Sequence, residues 1–250
     1  MSDSGEMTFW DHLDALRAIL FRIAVVLLVA AVGIFAFKDF LFDDLILAPS
    51  KGDFFLYRWL GTDFSLSLVN IEVTAQFMIH MKMALICAVV VTFPYIIYQV
   101  WKFIAPALYE NEKKKVGNAF LFASGLFYAG VIVAYMLIFP LMLNFFADYQ
   151  VSSSVPNQIS LSSYISLLTS MVLTFGIVFE FPTIVALLST IGILRKETMR
   201  TYRRYAICAI VILAAIITPS GDPFSLAVVA LPLYLLYEFS VFICKSETAE

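Results

Sequence analysis

Two carboxylate-bearing stretches of this 250-residue chain have the residue types and spacing to do chemistry. The first is Trp101-Lys102-Phe103-Ile104-Ala105-Pro106-Ala107-Leu108-Tyr109-Glu110-Asn111-Glu112-Lys113-Lys114-Lys115, set between two long apolar runs. Its apolar side chains turn at Pro106 into two carboxylates and three lysines, which predicts a segment lying at a membrane surface with its charges in water. Such a surface can receive a charged peptide; the plainer reading is a basic connector that only fixes topology. The second is Glu180, in the middle of the apolar run Tyr164–Leu194 and followed by Pro182. A carboxylate at membrane depth is costly, so Glu180 is expected to face a water-filled concavity, a polar partner or a bound ligand, or to hold its proton. Bonded through Thr174 or Ser170 to a neighbouring helix, it would be structural only. Glu238, near the end of the last run, reads as interfacial.

No catalytic constellation appears, so the chain does not read as an enzyme. His12 and His80 fall on opposite predicted sides of the membrane, and there is no nucleophile elbow, phosphate-cradling loop or pair of acids at ligand spacing. Cys87, Cys208 and Cys244 sit inside apolar runs without metal or redox spacing and read as packing residues. No cofactor and no metal are expected. Gly117, Gly125 and Gly130 read as sites where neighbouring helices approach closely.

The elements that must position these residues are membrane helices. The chain is 62% hydrophobic and 14% charged, with 24 Phe and a mean hydropathy of +0.91, where average globular chains are about half apolar and about a quarter charged. Its solvent is therefore lipid. The net charge of −3 gives no electrostatic support for nucleic-acid binding. Apolar runs predict an all-α, polytopic fold of six spans over 19–37, 83–101, 119–143, 164–194, 205–218 and 224–244, with 245–250 as a tail. A short interfacial helix around Phe9–Arg17 leads into the first span, and Arg22 can snorkel to its interface. Pro94 predicts a kink in the second span. The fourth run is longer than an untilted span needs, so it should tilt or bend. The fifth is too short to cross comfortably; with the turn Thr218-Pro219-Ser220-Gly221-Asp222-Pro223 it makes a hairpin in which the fifth and sixth spans are both expected to be short.

Orientation follows from the basic residues. Arg17, Arg22, Lys102, Lys113, Lys114, Lys115, Arg195, Lys196, Arg200, Arg203, Arg204 and Lys245 share one predicted side, against Lys38, Lys51, Arg58 and Lys82 on the other. Both termini are therefore expected in the cytoplasm. The first residues are acidic and polar, unlike a cleaved secretory signal. No repeat relates the two halves, which weakens any transporter built on inverted repeats.

The stretch from Trp101 resembles the first cytoplasmic loop of the TatC family, multispanning receptors of the twin-arginine protein translocase. The family pattern there is Phe-Ile-x-Pro-x-Leu-Tyr-x-x-Glu followed by basic residues, and Phe103, Pro106, Leu108, Tyr109, Glu112 and Lys113 fit it. The resemblance extends to His12-Leu13 with Leu16-Arg17, Ala48-Pro49, Phe93-Pro94, Phe139-Pro140, Phe175-Gly176, Phe179-Glu180 with Pro182, Arg203-Arg204-Tyr205, Thr218-Pro219 and Asp222-Pro223-Phe224-Ser225.

The resemblance implies a concave bundle in the bacterial cytoplasmic membrane, in a multi-copy complex that moves folded proteins with the proton-motive force. It implies signal peptides with two consecutive arginines as ligands, bound at Glu112 with Phe103, Tyr109 and Pro106 around it. Two guanidinium groups need carboxylates presented to them in forks. The family's second glutamate falls here on Ala15; Asp14, one residue earlier, points about 100° away on a helix. The resemblance further implies that Glu180 and Pro182 line a groove for the peptide's apolar part or a partner helix. It places Thr218, Asp222 and Leu226 where single-span TatA- or TatB-like partners dock, and gives Pro49 a structural turn. Leu226 stands where a glutamine is common and Ala215 where bulkier residues occur. A small proton-coupled transporter using Glu180 is the alternative, and a scaffold without a ligand of its own the third.

Overall fold

The computed structural model describes residues 9–62, 64–104, 110–152, 154, 157–190, 192–218 and 221–244. Helix dominates them: α1 (Phe9–Ala36), α2 (Phe55–Leu60), α3 (Ala75–Ile104), α4 (Glu110–Val133), α5 (Phe139–Asp148), α6 (Leu161–Val178), α7 (Phe181–Thr190), α8 (Lys196–Thr201), α9 (Arg203–Ile217) and α10 (Pro223–Ile243). Among the described residues five segments are long and apolar enough to cross a membrane: Leu13–Ala36, Ala75–Ile104, Phe120–Asp148, Leu161–Thr190 and Pro223–Ile243.

Several boundaries differ from the expected ones, each for a local reason. The interfacial leader and the first span are a single rod, α1, because no glycine or proline interrupts residues 9–32. The second helix starts at Ala75, about two turns before Met83, taking in His80 and Lys82. His80 fits there because its ring stacks on Phe35 of α1, with centroids 3.9 Å apart. The third span continues through a π-helical stretch, Ala134–Ile138, into α5. The widened turn precedes Pro140, which cannot donate back to the helix. The long fourth run bends between α6 and α7, at Phe179–Glu180. The fifth, α9, has 15 residues and is indeed short. The sixth is not: α10 has 21 residues. Asp222 caps it and Pro223 occupies its first turn, so it begins at once after the turn, and Pro232 bends no break into it.

Pro94 lies inside α3 and removes the bond that Val90 would have accepted. The Tyr128 hydroxyl, from α4, donates to that orphaned Val90 carbonyl at 3.1 Å. Tyr128→Phe is therefore expected to destabilise the protein by about 1–2 kcal/mol, since the carbonyl then stays unpaired. Thermal unfolding in detergent checks this. The added change Pro94→Ala, which restores an N–H to α3, should recover most of the loss; no loss in the single variant would refute the account.

At the far end of the bundle, the 38–74 connection is held by tyrosines. Residues Phe40–Ile46 form a π-helical turn and Ala48–Ser50 a single 3-10 turn, with Pro49 buried. Tyr135 donates to Leu45 O at 2.5 Å, Tyr164 of α6 to Ile46 O at 2.7 Å, and Tyr57 of α2 to Pro49 O at 2.9 Å. Burial pushes the Tyr57 hydroxyl above its ordinary ionisation range, so it stays a donor. A two-residue parallel bridge, Leu68 beside Ile159 and Val69 beside Ser160, joins this connection to the one before α6. Below it, one apolar cluster gathers Ile79, Met83, Ile86, Phe139, Leu143, Ile165 and Leu168. A second unites Met142, Met171, Phe175, Ala214, Val229 and Leu233.

Candidate functional site

The first candidate region lies where α3 ends and α4 begins. Phe103 is in the last turn of α3 and half-buried, while Pro106 and Tyr109 lie outside the described residues. Helix α4 opens at Glu110, which places Glu112 in its first turn, where the helix dipole favours a carboxylate. The Glu112 side chain itself is outside the described atoms. Helix α1 runs antiparallel to α3, because Phe35 near its end stacks on His80 near the start of α3. From that contact Asp14 lies about 31 Å back along α1 and Phe103 about 34 Å along α3, so the two share a depth. Asp14 is exposed and Ala15 half-buried.

The second region is the α6–α7 bend. Glu180 N–H donates to Ile177 O at 3.0 Å, a tightened turn that closes α6, and Pro182 allows no regular continuation. Glycines let α4 come in against this bend: a Cβ on Gly130 would sit 2.5 Å from the Phe175 carbonyl oxygen and 2.8 Å from Phe179. One on Gly176 would sit 2.7 Å from the Phe127 ring, which in turn stacks on Phe93 at 3.5 Å. Among the described residues, Glu180 Oε1 is buried without a hydrogen-bond partner, and so is the Thr183 hydroxyl one turn on. The carboxyl oxygen thus has no bond to Thr174 or Ser170. The carboxyl lies instead against Thr183 and the Phe127 backbone, with Oε1 short of full hydrogen-bond geometry, and has the chemistry to take a water molecule or an incoming polar group.

The third region is the α9–α10 turn. Thr218 is buried and its hydroxyl donates to Ala214 O at 2.9 Å, while Asp222 Oδ1 accepts the Ser225 N–H at 2.8 Å. These two polar residues close α9 and open α10. Leu226 packs half-buried against the second apolar cluster.

The three regions do not merge into one cluster. Phe103, Asp14 and the start of α4 are at one end, Glu180 is within the bundle, and the α9–α10 turn belongs to a separate hairpin. Among the described residues no three His, Cys, Asp or Glu side chains are placed to hold a metal. Sequence reasoning missed the pairing of Glu238, which bonds Arg203 at 2.8 Å. The signal was present in part, as an arginine pair at one end of α9 and a lone acid near the end of α10, but 35 residues separate them.

A family model described as Sec-independent protein translocase protein (TatC) matches residues 11–232. The chain is 34% identical over 257 residues to the TatC protein of Blattabacterium sp. subsp. Periplaneta americana, covering 97% of this chain and 96% of that one. It is 35% identical over 234 residues to the TatC protein of Helicobacter pylori strain 26695, covering 94% and 86%. Its backbone matches a crystal structure of a twin arginine translocase receptor, TatC, with a TM-score of 0.74 at 30% identity, over 93% of this chain and 97% of that one. A second crystal structure of a TatC receptor, in DDM, matches with a TM-score of 0.78 over 94% and 99%. With five apolar helices and a match along nearly its whole length, this multi-pass membrane protein belongs to the TatC family of Sec-independent protein translocase components.

Proposed function

We propose that the chain is the signal-peptide receptor of a twin-arginine translocase. It crosses the bacterial cytoplasmic membrane six times, α9 serving as a short fifth span, with both termini and the 105–109 connection in the cytoplasm. Glu112 accepts the arginine pair, supported by Phe103, Tyr109 and Pro106, with Asp14 in place of the acid missing at Ala15. Glu180 and Pro182 form the polar floor of a groove for the peptide's apolar part. Single-span TatA- or TatB-like subunits are recruited at the α9–α10 hairpin, around Thr218, Asp222 and Leu226, in a multi-copy complex. Folded proteins then cross on the proton-motive force.

The observation that carries this reading is the position of Glu112 in the first turn of α4, in a chain whose backbone follows that of a twin arginine translocase receptor. A bidentate guanidinium and an ammonium are not equivalent partners for a carboxylate. Purified protein in detergent is therefore expected to bind a labelled signal peptide with Arg-Arg about tenfold more tightly than its Lys-Lys counterpart. Equal affinity for the two peptides would overturn the receptor reading and return Glu180, the carboxylate of the alternative transporter, to the centre of the question.

A further inference from the structure

Between the last turns of α3 and the first turns of α4 lies a cleft of about 320 Å³, walled by Ile97, Tyr98 and Trp101 on one side and Gly117, Phe120 and Leu121 on the other. Its walls are mostly apolar; Ser124 also borders it, and one indole donor stands out. The indole Nε1–H of Trp101 is buried and has no hydrogen-bond partner among the described residues. It faces Gly117, where a Cβ would stand 3.4 Å from Nε1 and 3.5 Å from Cζ2. The missing side chain at Gly117 therefore leaves room beside the one unsatisfied donor. Tyr98 stacks against the indole at 6.3 Å and fixes its plane.

A buried N–H without an acceptor is unfavourable, and an apolar cleft around it selects a ligand that is apolar but carries one carbonyl. An extended peptide segment with apolar side chains has this chemistry, since its backbone carbonyls are not engaged in a helix. The cleft also lies near the start of α4. Gly117 follows Glu112 by five residues on α4, about 7.5 Å along the helix. We propose that this cleft seats the residue or two adjoining the arginine pair of a bound signal peptide, in extended conformation, with a backbone carbonyl accepting the Trp101 Nε1–H. The proposal rests on the receptor reading, and adds a donor and a shaped apolar seat to a site otherwise made of carboxylates.

The test follows the Trp101 indole N–H resonance in the isotope-labelled full-length protein in detergent. The chain has three tryptophans, and the Trp101 signal is assigned by its absence in Trp101→Phe. On addition of an Arg-Arg signal peptide the resonance is expected to move downfield. Trp101→Phe and Gly117→Ala should each weaken binding about tenfold, the first by leaving a carbonyl unpaired and the second by filling the approach. Gly117→Ala keeps only ordinary van der Waals contacts, so its unfolding midpoint should match the parent's, and both variants should still prefer Arg-Arg to Lys-Lys. An indole signal that stays put while peptide binds overturns the proposal. If that signal answers instead to added phospholipid, the cleft belongs to a lipid ester carbonyl and the proposal again falls. Loss of the Arg-Arg preference in the parent protein is a separate outcome, which strikes the receptor reading and leaves the indole shift to decide the cleft.

Discussion

Replacing Glu112 by alanine is expected to weaken binding of a twin-arginine signal peptide about thirtyfold, a loss of about 2 kcal/mol. The figure sits at the lower end for a charge-assisted pair, because a site at the membrane surface keeps some solvent screening. Glu112→Gln should lose nearly as much, since it keeps the shape and removes the charge. Raising the salt concentration should weaken the parent protein and leave Glu112→Ala almost unaffected. Asp14→Ala then asks about the second acid. A further loss on top of Glu112→Ala, smaller than the first, would place Asp14 at the arginines; additive silence would mean that α1 contributes no carboxylate. Unchanged affinity in Glu112→Ala would remove the residue on which the receptor reading rests.

The second large effect concerns the crossing of α4 and α6. Gly130→Ala is expected to destabilise the protein by about 3 kcal/mol, the upper part of the usual range for overpacking. The added methyl would lie 2.5 Å from the Phe175 carbonyl oxygen, and a helix backbone cannot step aside as a flexible side chain can. Gly125→Ala on the same helix is the control: nothing lies within 4 Å of a Cβ there, so its unfolding midpoint should remain near the parent's. A Gly130→Ala protein as stable as the parent would show that the two helices have slack at the crossing. Because Glu180 follows directly on this crossing, Gly130→Ala should also disturb export in vivo beyond what reduced abundance explains.

The apolar runs made the membrane helices legible, since about 20 residues of hydrocarbon are needed whatever the fold. Pro182 next to Glu180 gave away the bend, and the short run after Tyr205 gave away the short α9. Polar residues within helices hid the ends. His80 and Lys82 looked like loop, yet an aromatic partner on α1 and a solvated ammonium make them acceptable in α3. Pro223 looked like the end of a turn, whereas a proline in the first turn starts a helix well, so α10 begins one residue before the expected span. The candidate residues were legible one by one, through residue type and local motif. Their pairings were not: Arg203 with Glu238, Tyr128 with Val90 and Tyr164 with Ile46 are 35, 38 and 118 residues apart. Periodicity carries no information at such separations. Thr218 and Asp222 show the converse, each making a bond within four positions that serves a helix end.

The tyrosine bonds to the 38–74 connection have a mechanical corollary. Leu45 and Ile46 are held from Tyr135, just beyond α4, and Tyr164, on α6, while Tyr57 ties Pro49 within the connection, so two members of the bundle are pinned at one end. Beyond the bond of Tyr128 to Val90, the Trp101 cleft opens between α3 and α4 at the other end. The two helices can therefore work as a pair of tongs whose rivet is the Tyr128–Val90 bond. From Tyr128 to Gly117 is about 16 Å of helix, so a swing of about 3.5° separates the tips by about 1 Å. A ligand wedged at the tips needs little distortion to be accommodated, and the rivet carries the torque back to the far face of the membrane.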